Sequence, residues 1–196
     1  MSLIVSSAPS SEPVTLAETK LYIRVDHNEL DAAITEMIVA ARAAAETFSG
    51  KQFIDATYVY KVNGFPHSAL VDSRLLLPRT PVDSVSSVTY LDTNGDSQTL
   101  ATSVYEVDTS SLPGRIRLKV DQTWPNTQLH PEVVTITFVA GYGTASDVPG
   151  AIKLAIKMIV AEIMEHPEWR SDATPAVNDN PTAQRLLMTE TVIEFA

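Results

Sequence analysis

The 196-residue chain contains no cysteine. That absence removes disulfides, zinc–thiolate sites, iron–sulfur clusters and thiol nucleophiles together, and it fits a reducing compartment. Long apolar runs are missing too: no stretch reaches the roughly 18 residues that a membrane-spanning helix needs. Residues 1–13 carry no basic group ahead of the short Leu3-Ile4-Val5 run, so they lack the pattern of a secretory signal. Positive charge is scarce. The 14 Lys and Arg stand against 24 Asp and Glu, a formal net charge of −10, which argues against wrapping duplex DNA through a global positive field. These absences predict a soluble intracellular chain whose partners are proteins.

What is present is a folding sequence. Hydrophobic residues make up 44% and charged residues 19%, too apolar a balance for disorder. A chain of this length supports one or two domains and buries about 70% of its unfolded surface. The charge is uneven. Residues 162–196 hold two basic and seven acidic groups, whereas residues 141–161 hold two basic and one acidic.

Residues 1–13, with Pro9, Pro13 and five serines, show no periodicity and read as a flexible arm. Thr15-Leu16-Ala17-Glu18 has the form of a capping box, so a short helix over about 15–24 is predicted. A second helix is predicted over 28–49. Leu30, Ile34, Met37, Ala41, Ala44 and Phe48 recur at helical spacing, and Gly50 stands where a helix ends. From 51 to 140 β-branched and aromatic residues take over, with frequent turn signals. Strands are predicted at 54–62, 85–91, 98–100, 104–107, 115–120 and 133–139. Asp92-Thr93-Asn94-Gly95-Asp96 reads as a hairpin turn with positive φ at Asn94-Gly95. Helical spacing returns after Pro149, with Ile152, Ile156, Ile159 and Ile163 on one face as far as about 166. Residues 171–181 read as a linker, and Pro181 to Met188 as one or two helical turns.

The predicted fold is therefore α+β. Helices over about 15–24, 28–49 and 150–166 pack together, with a small, mostly antiparallel β-module (about 53–140) inserted between the second and third. The predicted organisation is an arm (1–13), a discontinuous helical domain (14–50 plus 148–170), a β-module (51–147) and a flexible acidic tail (171–196).

Catalytic signatures are absent. Ser49-Gly50-Lys51 follows a helix and lacks the upstream glycine of a phosphate loop. Gly141-Tyr142-Gly143 lacks the third glycine of a dinucleotide fingerprint and reads as a turn. His27, His67, His130 and His166 show no metal-ligand spacing. Asp92, Asn94 and Asp96 lack the glycine and glutamate positions of a calcium loop. No catalytic residue, cofactor site or metal site is predicted.

Two patterns suggest contacts. Arg115-Ile116-Arg117-Leu118-Lys119-Val120 alternates strictly, putting three cations on one strand face. Arg115, Arg117 and Lys119 could meet an acidic neighbour or a nucleic-acid backbone, or else form a solvated outer face that protects a sheet edge. At the C-terminal end, Val192, Ile193 and Phe195 are candidates for docking by strand addition, the alternative being a frayed end.

The chain then resembles a known family. Pro13-Val14-Thr15-Leu16-Ala17-Glu18-Thr19-Lys20 followed by Leu21-Tyr22-Ile23-Arg24-Val25-Asp26 is similar to the opening of head-tail connector (adaptor, or head completion) proteins of tailed bacteriophages and prophages. The Ala-rich helix closing on Glu46-Thr47-Phe48-Ser49-Gly50-Lys51 fits the same pattern. The subgroup with a β insertion matches at Leu77-Pro78-Arg79-Thr80-Pro81-Val82, Pro113-Gly114-Arg115-Ile116, Trp124-Pro125, Ala140-Gly141-Tyr142-Gly143 and Asp147-Val148-Pro149. The resemblance covers about residues 13–170, and the tail after Arg170 departs from it.

The resemblance implies a structural, non-enzymatic subunit of the virion, assembled in the bacterial cytoplasm. It implies a homo-oligomeric ring of about a dozen copies beneath the portal protein, for which Arg115, Arg117 and Lys119, facing a neighbour's acidic 162–172 surface, are the subunit-interface candidates. That ring would extend the DNA channel, let DNA pass without specific binding, touch no membrane and dock stopper or tail completion proteins. Two other classes remain open on residues alone. One is a phage-encoded hydrolase with a carboxylate site. The other is a ligand-binding β-module using Tyr58, Tyr60, Tyr90 and Trp124.

Overall fold

A computed structural model describes residues 1–66, 74–166 and 174–189. The chain divides into two compact units, one of Met1–Pro9 and Asp55–Tyr142, the other of Ser10–Ile54 and Gly143–Ala196.

The first unit is built of strands. β1 (Ser2–Ser7), β2 (Ala56–Val62), β4 (Val82–Leu91), β5 (Ser97–Thr99) and β8 (Val134–Ala140) form a sheet in the order β1-β2-β8-β4-β5. β3 (Leu75–Leu76), β6 (Tyr105–Asp108) and β7 (Arg115–Leu118) form a second sheet in the order β3-β7-β6. Every pairing is antiparallel. Period-two alternation makes the core: Ala56, Tyr58 and Val62 from β2 and Val134, Ile136, Phe138 and Ala140 from β8 are buried, together with Leu75, Tyr105 and Ile116 of the smaller sheet. The Asp92 turn closes as a hairpin. Gly95 has φ +89° and donates to the Asp92 carbonyl at 3.0 Å. Asn94 does not take positive φ; its N–H is held instead by the Asp92 carboxylate at 2.9 Å.

Residues 1–13 depart from the expected arm. Ser2–Ser7 is an edge strand, paired with β2 from Ser2↔Lys61 to Ser7↔Thr57. Leu3, Ile4 and Val5 are all exposed, so the alternation that marks a strand half-buried in its own chain is missing there, and only main-chain pairing reveals it.

The second unit is helical: α1 (Leu16–Ile23), α2 (Asp31–Ser49), α3 (Gly150–Glu165), α4 (Thr174–Asn178) and α5 (Pro181–Thr189). The capping box at Thr15 forms as predicted. Thr15 N–H donates to Glu18 Oε2 at 2.8 Å and Glu18 N–H to Thr15 Oγ1 at 3.2 Å. α2 begins at Asp31 rather than Asn28 because Lys20 Nζ donates to both Asn28 Oδ1 (2.8 Å) and Asp31 Oδ1 (2.6 Å), holding 28–30 as a turn. α2 packs on α3, burying Ile34, Met37, Ile38, Ala41 and Ala45 against Ile152, Ala155, Ile156, Ile159 and Ile163. Fully burying one such aliphatic side chain stabilises by about 2 kcal/mol.

α4 replaces the linker expected over 171–181, and α5 is the helix expected over Pro181 to Met188. α4 and α5 pack on α2 and α3, and Ala176, Val177, Ala183 and Leu187 are buried. Two helices this short, one of them carrying Pro175, have little propensity of their own and form because they cover an apolar face.

Candidate functional site

The sequence directs attention first to the Arg115 row. β7 keeps its alternation: Ile116 is buried while Arg117 and Lys119 are exposed. The antiparallel register sets Arg115 opposite Asp108 and Arg117 opposite Glu106. Arg115 Nε donates to Asp108 Oδ2 at 2.9 Å and its Nη2 to Ser111 Oγ at 2.6 Å. Arg117 Nε lies 2.6 Å from Glu106 Oε1, and Lys119 Nζ donates to the Thr102 carbonyl at 2.8 Å. Asp108 also accepts from the hydroxyls of Ser110 and Ser111, both at 2.7 Å. Those two hydroxyls, then Arg115, hold its carboxyl well below the usual carboxylate range. The row is thus a cross-strand ion-pair ladder, and β6 returns much of its charge. Sequence spacing showed the cations but not the acids that register would place opposite them.

The aromatics serve packing. Tyr58 is buried and stacks on Phe138, with ring centroids 5.5 Å apart. Tyr90 meets Phe65 edge-on at 5.6 Å, and Phe65 stacks on Trp124 at 4.8 Å. Tyr60 is half-buried beside the same core. Phe65, which the sequence reading passed over, joins the two aromatics that were singled out. A groove of about 570 Å³ runs along Met1, Asn63–Pro66 and Trp124–Leu129, and among the described residues its lining carries no carboxylate or imidazole.

Among the described residues no three His, Asp or Glu side chains converge as a metal site, and no helix is long and apolar enough to cross a membrane. His27 lies 3.6 Å from Glu29, His130 Nδ1 2.6 Å from the Pro131 carbonyl, and His166 3.9 Å from Glu162. His67 and the docking candidates Val192, Ile193 and Phe195 lie outside the described residues.

Gly141-Tyr142-Gly143 is a turn. Gly141 has φ +150°, and a Cβ there would stand 2.5 Å from the Asp55 backbone nitrogen. Gly143 has φ +111°. Asp147 then takes the Thr144 hydroxyl at 2.6 Å and its N–H at 2.9 Å, an arrangement that leads the chain towards α3.

A network missed by sequence sits after α2. Glu46, largely buried, accepts from Arg42 Nη1 (2.8 Å), Gln52 Nε2 (2.8 Å) and Phe53 N–H (3.0 Å). Arg42 also donates to Glu12 at 2.7 Å. Burial opposes the Arg42 charge, but the bond to Glu12 and the field of Glu46 outweigh it and raise the guanidinium pKa. The one available signal was the i, i+4 spacing of Arg42 and Glu46.

The geometry therefore consists of ladders, caps and packed faces. A family model described as "Head completion protein" matches residues 12–166, most of the chain. The chain belongs to the head completion protein family. Membership gives it a structural role in the connection between phage head and tail, as the sequence resemblance implied. None of the curated proteins matches. Solved structures of gene transfer agent (GTA) particles contain chains of similar fold. One, from the neck of an empty GTA particle computed with C6 symmetry, is 22% identical with TM-score 0.70, covering 84% of each chain. Another, from the virion of the native GTA particle, gives the same figures. A third, from the neck of the native particle computed with C12 symmetry, has TM-score 0.66 at 22% identity and the same coverage. At that identity the likeness establishes the fold.

Proposed function

We propose that this head completion family member is one subunit of a ring at the head–tail junction of a phage or phage-like particle. The ring sits beneath the portal, extends the DNA channel and offers its far side to stopper or tail completion proteins. The family match over residues 12–166 carries this reading, because it spans both the helical unit and the β-unit. The similar chains come from particle necks computed with C6 and C12 symmetry, which favours a ring of about a dozen copies. A net charge of −10 suits a lumen through which DNA slides without sticking. The work is mechanical, with no bond made or broken. Within the ring, Arg115, Arg117 and Lys119 are candidates for contact with the next copy, and Val192, Ile193 and Phe195 for docking on a neighbouring protein.

The test is removal of the gene from its particle. Packaged heads that fail to join tails, with joining restored by supplying the chain, are the expected result. Complete tailed particles made without the protein overturn the reading.

A further inference from the structure

Arg115 and Arg117 of β7 pair with Asp108 and Glu106, and a second cationic surface lies on α3. On α3, Lys153, Leu154, Lys157 and Ala161 share one helical stripe, opposite the buried isoleucines. α1 packs beside that stripe. Lys157 Nζ stands 5.8 Å from the centre of the Tyr22 ring. Lys153 and Lys157 both lower the Glu18 pKa through space, a smaller effect than the capping bonds from Thr15. Among the described residues neither lysine has an ion-pair partner. Two apolar side chains lie open beside those lysines: Tyr22 is 40% exposed and Leu154 38%.

We propose that this face seats residues 190–196 of a neighbouring copy of the chain. The chemistry of that segment is the complement of the face. In an extended segment Glu190, Val192 and Glu194 share one face, and they match Lys153, Leu154 and Lys157. Its length fits as well: seven extended residues cover about 23 Å, and α3 from 153 to 164 runs about 17 Å. Among the described residues nothing covers this face: Tyr22 and Leu154 stay open to solvent. A tail from one copy reaching a patch on the next is also the heterologous contact that a closed ring requires. The inference rests on the ring reading above and names one of its contacts.

The test is a charge exchange in the full-length protein, with assembly followed by mass photometry alone and with portal. Lys153→Glu with Lys157→Glu, and separately Glu190→Lys with Glu194→Lys, each weaken association about tenfold or more. The four changes together restore it. Far-UV circular dichroism and unfolding midpoints show that each variant folds. A benzophenone side chain at position 195, in a mixture of ¹⁴N and ¹⁵N protein, then reports the seat directly. Cross-links from one isotope to residues 150–161 of the other are expected. Three results overturn the inference while leaving the ring intact: cross-links confined to one isotope, cross-links only to portal, or wild-type assembly matched by both charge-reversed variants. No ring from the wild type, alone or on portal, removes the ring reading and this contact with it.

Discussion

The Glu46 carboxylate accepts the backbone N–H of Phe53 at 3.0 Å, seven residues further along the chain. Through this bond, and the one to Gln52 at 2.8 Å, residues 51–54 stay with the helical unit after α2 has ended at Gly50. Glu46→Ala leaves the Phe53 N–H, the Gln52 amide and Arg42 without this acceptor in a buried setting. The expected loss is about 3 kcal/mol, read from urea unfolding. Glu46→Gln keeps one acceptor oxygen and is expected to lose less.

Gly141 sets the turn out of β8. Gly141→Ala drives a Cβ to 2.5 Å from the Asp55 backbone nitrogen, and a cost of about 3 kcal/mol in thermal or urea unfolding is expected. Gly64 has nothing within 4 Å of its hypothetical Cβ. Gly64→Ala is therefore expected to stay within about 0.5 kcal/mol of the parent, which makes it the control.

Arg117→Glu places two acids directly opposite each other on β6 and β7. The pair is half exposed, so the change is expected to cost about 0.5 kcal/mol in chain stability. The double variant Arg117→Glu with Glu106→Arg recovers that loss. Assembly measured on both variants separates the ladder from any contact with a neighbouring copy.

Asp108, Asp92, Asp147 and Glu18 all have folded-state pKa values below their ordinary ones. The Ser110 and Ser111 hydroxyls, the Gln98 amide, the Thr144 hydroxyl and the Thr15 N–H are the leading causes in that order. Each group binds protons more weakly folded than unfolded. Its contribution is complete above the unfolded pKa of about 4 and disappears as pH falls through the folded value. Urea midpoints are expected to be flat from pH 7 to about 5 and to fall below about 4. Asp108→Asn is expected to lower the plateau and make the acid decline shallower.

Leu187 of α5 is 1% exposed. Leu187→Ala is expected to cost about 3 kcal/mol by calorimetry or urea unfolding. An unchanged stability would mean that α5 does not cover the α3 face in solution.

The capping box at Thr15, the stripe on α3 and the strands over 56–62 and 134–140 were legible because each is a local pattern with its own period. Three features were not. β1 carries exposed apolar residues on both faces, so its strand character comes from pairing with β2, more than fifty residues away. Thr174–Asn178 looks like a linker because Pro175 and Asn178 are poor helix formers, and tertiary burial of Ala176 and Val177 overrides that. The cations at 115 and 117 look available until antiparallel register brings Asp108 and Glu106 beside them.

By itself the sequence determined the class of fold, the absence of thiol chemistry, the acidic balance and a family likeness carried by short motifs in order. These depend on composition and on neighbours within a few residues. Only the tertiary structure decided which charges are already matched, which strand closes the sheet edge and which lysines are left facing outward. Those outcomes depend on side chains far apart in sequence, and their distances are set by packing rather than by spacing along the chain.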